Sequence, residues 1–245
     1  LMSDDRGPDR LDRLDRLDDD LALLAEQTTR LLGTARSLTD TAAASLCEGW
    51  SRGHVVTHLA RNAEAIGRLA DWAVTGTPLE MYPGGTDGRD RAIEAGAHRG
   101  VDALAEDLAD TAAALVPRLE ALAGPLAADE VELRGGYRVR STRLPFTRLR
   151  EVVYHHVDLD AGFGFADVDG DLLCRFVDDA VSRLELGRHP PALRLTSDEG
   201  DTWTVGDGTT PVTGARAGLL LWLARRIPDG VHAQDAELPS LPRGA

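Results

Sequence analysis

Arg150-Glu151-Val152-Val153-Tyr154-His155-His156-Val157-Asp158-Leu159 places a carboxylate and an imidazole four residues apart. At ~3.6 residues per helical turn, Glu151 and His155 stack on one face, and the surrounding valines, Tyr154 and Leu159 make that stretch mostly apolar. Pro145 suits a first turn, so the spacing predicts a helix over about 145–161. Two aligned polar groups in such a helix need a partner, because burying each one unpaired costs about a few kcal/mol. A hydrogen-bonded Glu–His pair inside a bundle meets that need, and so does a metal ion. His156 points ~100° away from His155 and is not read as a co-ligand.

A second helix begins after Ser51, a good N-cap, and runs to about Thr75, where Gly76 ends it. Val55, Leu59, Ala63, Ile66, Leu69 and Ala70 form its apolar stripe, with His58 beside them. His54 lies in the first turn and reads as an exposed or capping residue. Open zinc sites commonly use three protein ligands, and facing helices of a bundle can supply them. His58, Glu151 and His155 are therefore the candidate metal ligands. Asp158, three residues past His155, could hold that ligand's second nitrogen. The reading preferred for it is a helix C-terminal residue bonded to solvent or an arginine.

Further helices are expected over about 21–32 and 101–122, the latter closed by Gly124-Pro125. Residues 76–98, rich in Gly, Pro and Asp, read as a long loop of the kind that is often functional. A short β excursion is expected at 131–142, around Gly135-Gly136. Residues 1–20, with a three-residue Asp-Arg-Leu repeat that makes no fixed apolar stripe, read as a disordered or frayed lead-in. Four helices suggest an antiparallel bundle over 21–165. Beyond it, 166–245 reads as a small α+β domain: a helix at 169–186, strands near 192–196, 202–205 and 211–213, and an apolar helix at 215–225.

The 245-residue chain carries a net charge of −14, which argues against nucleic-acid or anionic-membrane partners. No apolar run reaches the ~20 residues of a membrane span, and the acidic start is unlike a secretory signal; a cytoplasmic monomer is the expectation. All 27 cationic residues are arginine, which excludes Schiff-base chemistry and a P-loop lysine. Cys47 and Cys174 lack CxxC spacing and read as small packed hydrophobes. Asp167-Val168-Asp169-Gly170-Asp171 lacks the glycine and closing glutamate of a calcium loop.

Two segments carry a family resemblance. Leu46-Cys47-Glu48-Gly49-Trp50-Ser51 with His58-Leu59, and Arg150-Glu151-Val152 with His155, Val157, Asp158 and Leu159, resemble motifs of the DinB-like mycothiol-dependent maleylpyruvate isomerases. Asp71-Trp72 and Met81-Tyr82 match as well. The resemblance implies an α+β architecture, with a DinB-like four-helix metal-binding bundle followed by a sterol-carrier-like domain. It places the metal triad on His58, Glu151 and His155, with Zn2+ or a similar divalent ion and mycothiol as cofactors. It also implies substrate-binding arginines at Arg89 and at Arg226, the latter less secure because Arg225 adjoins it.

The implied reaction is isomerisation of maleylpyruvate, or a similar 4-oxo dienoic diacid, to the trans product. A metal-activated thiolate would add to the cis double bond, the single bond would rotate, and the thiol would leave. A mycothiol S-transferase that releases a conjugate is one alternative. A non-catalytic metal- or thiol-sensing protein is another; it would need a fourth ligand, such as His54 or Cys47, to close the site.

Overall fold

The computed structural model describes residues 16–233 and 237–242. The Asp-Arg-Leu repeat falls largely outside them, but Leu17–Asp20 form the first turn of a helix rather than a lead-in. The chain divides into two compact units, residues 15–162 and a unit built from 163 onward.

The first unit contains α1 (Leu17–Ser37), α2 (Arg52–Thr75), α3 (Gly85–Ala97), α4 (Val101–Glu120) and α5 (Leu144–Asp158). Around the bundle the contacts run α1 to α5, α5 to α2, α2 to α4 and α4 back to α1, so those four helices enclose one core. Leu31, Leu59, Ile66, Leu108, Leu149 and Val153 are fully buried in it. Ser51 caps α2, and Gly76 ends it at φ 75°, a left-handed geometry that glycine adopts without steric cost. Strands β1 (Glu130–Glu132) and β2 (Arg138–Arg140) pair antiparallel across Gly135-Gly136.

The expected long loop at 76–98 is a correction: its second half is α3, which packs on α2. Its glycines and aspartates hid it, because only Ile93 and Ala97 of its thirteen residues are buried. A helix held by so narrow a contact leaves almost no apolar stripe to read.

The second unit has α6 (Gly170–Glu185), β3 (Leu193–Ser197), β4 (Thr202–Val205), β5 (Thr210–Gly214), α7 (Arg216–Arg225) and β6 (His232–Ala233). Its sheet has the order β4-β3-β5-β6, with β3 and β5 parallel and the outer pairings antiparallel. β3 alternates buried and exposed side chains, as a sheet covered on one face requires. Helices α6 and α7 pack on the sheet and on each other. The molecule is thus α+β, a helical bundle followed by a small sheet unit. No helix among the described residues is long and apolar enough to cross a membrane.

Candidate metal centre

Helices α2 and α5 pack against each other, and that contact brings His58, Glu151 and His155 together. One ligand atom from each lies within 4.8 Å of the others. His58 Nε2 lies 3.2 Å from Glu151 Oε2, and His155 Nε2 lies 3.7 Å from the same oxygen. The two imidazole rings meet edge to face at 4.6 Å. His58 is buried, while Glu151 and His155 are partly accessible.

The electrostatics suit a cation. Burial, reinforced by the neighbouring His155, lowers the pKa of His58 to about 4, so its ring is neutral and keeps a lone pair. Burial works against ionisation of Glu151, but the hydrogen bond from His58 and the adjacent imidazoles hold its carboxyl well below the ordinary value.

Asp158 settles the orientation of His155. The solvent branch of the preferred expectation, a helix end bonded to solvent or an arginine, is overturned: Asp158 is fully buried, and its Oδ2 accepts from His155 Nδ1 at 2.7 Å. That bond fixes the tautomer with Nε2 unprotonated, aimed at Glu151. Asp158 Oδ2 also accepts from Cys47 Sγ at 3.1 Å, so Cys47 is a half-buried polar partner rather than a packed hydrophobe. Cys47 lies 3.9 Å from Nδ1 of His155, the nitrogen that faces away from Glu151. His54 turns to its own cap, with Ser51 N–H donating to its Nδ1 at 3.2 Å. His156 faces α1, 2.7 Å from Thr34 Oγ1. Neither Cys47 nor His54 supplies a fourth donor, and among the described residues the three-atom set stays open. The donor set, its ionisation and the Asp158 bond together fit a divalent ion.

Three further residues support the centre. Asn62, one turn past His58, donates to Glu151 Oε2 at 3.4 Å and to the Tyr82 hydroxyl at 3.3 Å. Arg148, fully buried, donates to Asn62 Oδ1 at 2.7 Å; desolvation lowers its pKa to about 10, which leaves it charged near neutrality. Their positions, i+4 from His58 and i−3 from Glu151, were the available signal for their roles.

Arg89 sits on α3, not in a loop. Its Nη2 lies 3.4 Å from His58 Nδ1, and its guanidinium stands 5.3 Å from the Trp50 ring centre and 5.8 Å from that of Tyr82. The side chain is 13% exposed and pairs with Asp90 at 2.7 Å. Arg226 belongs to the second unit, where it caps α7 at φ 64°, an uncommon backbone region for a side-chain-bearing residue. Its guanidinium donates to the carbonyls of Leu223 and Pro242.

The family model of the mycothiol maleylpyruvate isomerase N-terminal domain matches residues 21–160. A crystal structure of a mycothiol-dependent maleylpyruvate isomerase superposes with a TM-score of 0.85 at 28% identity, over 93% of this chain and 96% of that one. The structure of a histidine-to-alanine mutant of such an enzyme gives 0.84 at 27%, with the same coverage. No curated protein sequence matches the chain. With more than half its length matched by that model, the chain belongs to the mycothiol maleylpyruvate isomerase family.

Proposed function

We propose that this enzyme is a mycothiol-dependent cis–trans isomerase of maleylpyruvate or a similar 4-oxo dienoic diacid. The observation that carries the reading is the open three-donor set of His58, Glu151 and His155 with the Arg89 guanidinium beside it. A donor set with no fourth protein ligand suits a centre that binds an exchangeable group better than a closed structural or sensory site. With Zn2+ or a similar ion held there, the site would keep a bound thiol ionised near neutral pH, and mycothiol would supply the thiol that adds to and leaves the activated double bond.

The chain's own groups do the rest. Asp158 holds the His155 ring in the tautomer that offers Nε2. Asn62, backed by Arg148, donates to the Glu151 carboxylate and limits its rotation. Arg89 offers a planar set of N–H donors that pairs with a substrate carboxylate and steadies negative charge developing on the conjugated carbonyl. Family likeness makes Arg226 a candidate carboxylate-binding arginine as well, a role that turnover of Arg226→Ala would test.

Chromatography of maleylpyruvate incubated with the protein and mycothiol tests the proposal. Fumarylpyruvate should form only when the thiol is present, with mycothiol recovered unchanged. Accumulation of a mycothiol conjugate in place of fumarylpyruvate would overturn it in favour of an S-transferase.

A further inference from the structure

A second cluster of the same composition lies one turn along α2. His54 Nε2 is 3.1 Å from Glu94 Oε2, and His98 Nε2 is 3.0 Å from Glu94 Oε1. The three ligand atoms lie within 4.8 Å of one another. Glu94 and His98 are four residues apart on α3, as Glu151 and His155 are on α5, and in both clusters α2 supplies the remaining histidine. We propose that His54, Glu94 and His98 form a second divalent-metal site, one that takes a borderline ion such as Zn2+ and clamps α3 to α2.

An exposed i,i+4 pair explains Glu94 and His98 by themselves, since such pairs are common on helix surfaces. It does not explain an ordered third imidazole arriving from another helix. The His54 side chain is only 13% exposed. Its ring stacks on Trp50 at 6.4 Å and meets His98 edge-on at 5.5 Å. Ser51 Oγ lies 2.7 Å from its Nδ1, closer than the Ser51 amide. Without an ion, Nδ1 accepts from the Ser51 amide and Nε2–H donates to Glu94; with an ion on Nε2 the proton would move to Nδ1, where Ser51 Oγ stands ready to accept it.

The scaffold under the cluster is stiff. A Cβ at Gly53 would lie 2.1 Å from the Ala97 carbonyl oxygen, and one at Gly96 would lie 2.6 Å from Thr57 Cγ2. Two glycines thus let α2 and α3 touch beside the three ligands. Glu94 and His98 are largely exposed, so an ion could enter and keep water in its remaining positions. This is the chemistry of a weak, exchangeable site rather than a buried one. An ion there would also fix α3 and with it Arg89. That consequence rests on the role proposed for Arg89, whereas the ion site does not.

Zinc titration of the metal-stripped full-length chain by calorimetry tests the proposal, with His58→Ala, His98→Ala and Glu94→Gln alongside wild type. Wild type should bind two zinc ions, one tightly and one weakly. His98→Ala and Glu94→Gln should keep the tight event and weaken the other by about tenfold or more, at least the cost of losing an outer partner of a metal ligand. His58→Ala should keep the weak event. One zinc per wild-type chain, or a second zinc indifferent to both α3 substitutions, overturns the proposal. A tight event surviving His58→Ala would instead count against the inner triad and leave the outer site standing.

Discussion

The inner cluster on α2 and α5 and the outer cluster on α2 and α3 share one recipe, two histidines and a glutamate with Glu-x-x-x-His spacing. They differ in burial. His58 is buried, and its pKa falls to about 4, whereas the outer Glu94 is open to solvent and held low only by its two histidine partners. Burial turns one set of ligands into a preorganised, partly desolvated centre beside an arginine. Exposure leaves the other set strongly screened, so its interactions contribute little to stability without an ion.

The comparison is most easily broken at the inner site. Glu151→Ala should abolish tight metal uptake and lower turnover by roughly 10³-fold, because the proposed ion would lose one of its three ligands. Glu94→Ala should leave turnover at saturating zinc within a fewfold of wild type. Comparable losses in the two variants would erase the distinction.

Asp158→Asn keeps the shape but weakens the hold on His155, and should cost ~10–100-fold in metal affinity or activity. Metal analysis together with steady-state kinetics checks this, and an unchanged affinity would remove Asp158 from the centre.

Acid should separate the clusters in the metal-free protein. His58 has a folded-state pKa below its ordinary value of 6.5, so the unfolded chain binds the proton first as pH falls. Its stabilising contribution is complete above about pH 6.5 and is lost down to about 4; Glu151, also depressed, adds loss in the same direction below about 4.5. Urea melts at pH 7 and 4.5 should differ by ~2–3 kcal/mol. His58→Gln should flatten that difference, and His98→Gln should not.

Gly53→Ala addresses the scaffold. A methyl group there meets the Ala97 carbonyl and should cost ~1–3 kcal/mol by forcing α3 away from α2. The weaker zinc event should suffer more than the tight one. The smallest effect belongs to His98→Ala without metal, within ~0.5 kcal/mol of wild type by thermal melting, as for an exposed surface residue.

Legibility from sequence followed the width of each buried face. α2 and α5 were readable because their apolar positions recur at helical spacing and because Ser51, Gly76 and Pro145 mark their ends. α3 was not, and with it the outer cluster was missed. Glu94 and His98 carry the same spacing as Glu151 and His155, but that spacing means adjacency only on a helix, and residues 76–98 read as a loop. Asp158, Asn62 and Arg148 were obscured for another reason. A polar residue within or at the end of a helix looks the same in sequence whether it meets solvent or a buried partner.

The sequence by itself determined the helices other than α3, three of the four strands of the second unit and the three candidate ligands, because periodicity and i,i+4 spacing are local properties. Only the tertiary structure decided that α3 exists as a helix against α2, that Arg89 reaches His58, and that Asp158 points inward to His155. The first two depend on neighbours distant in the chain, supplied by packing such as the Gly53–Ala97 approach, and Asp158, though three residues from His155, is buried against the distant Cys47 rather than turned to solvent.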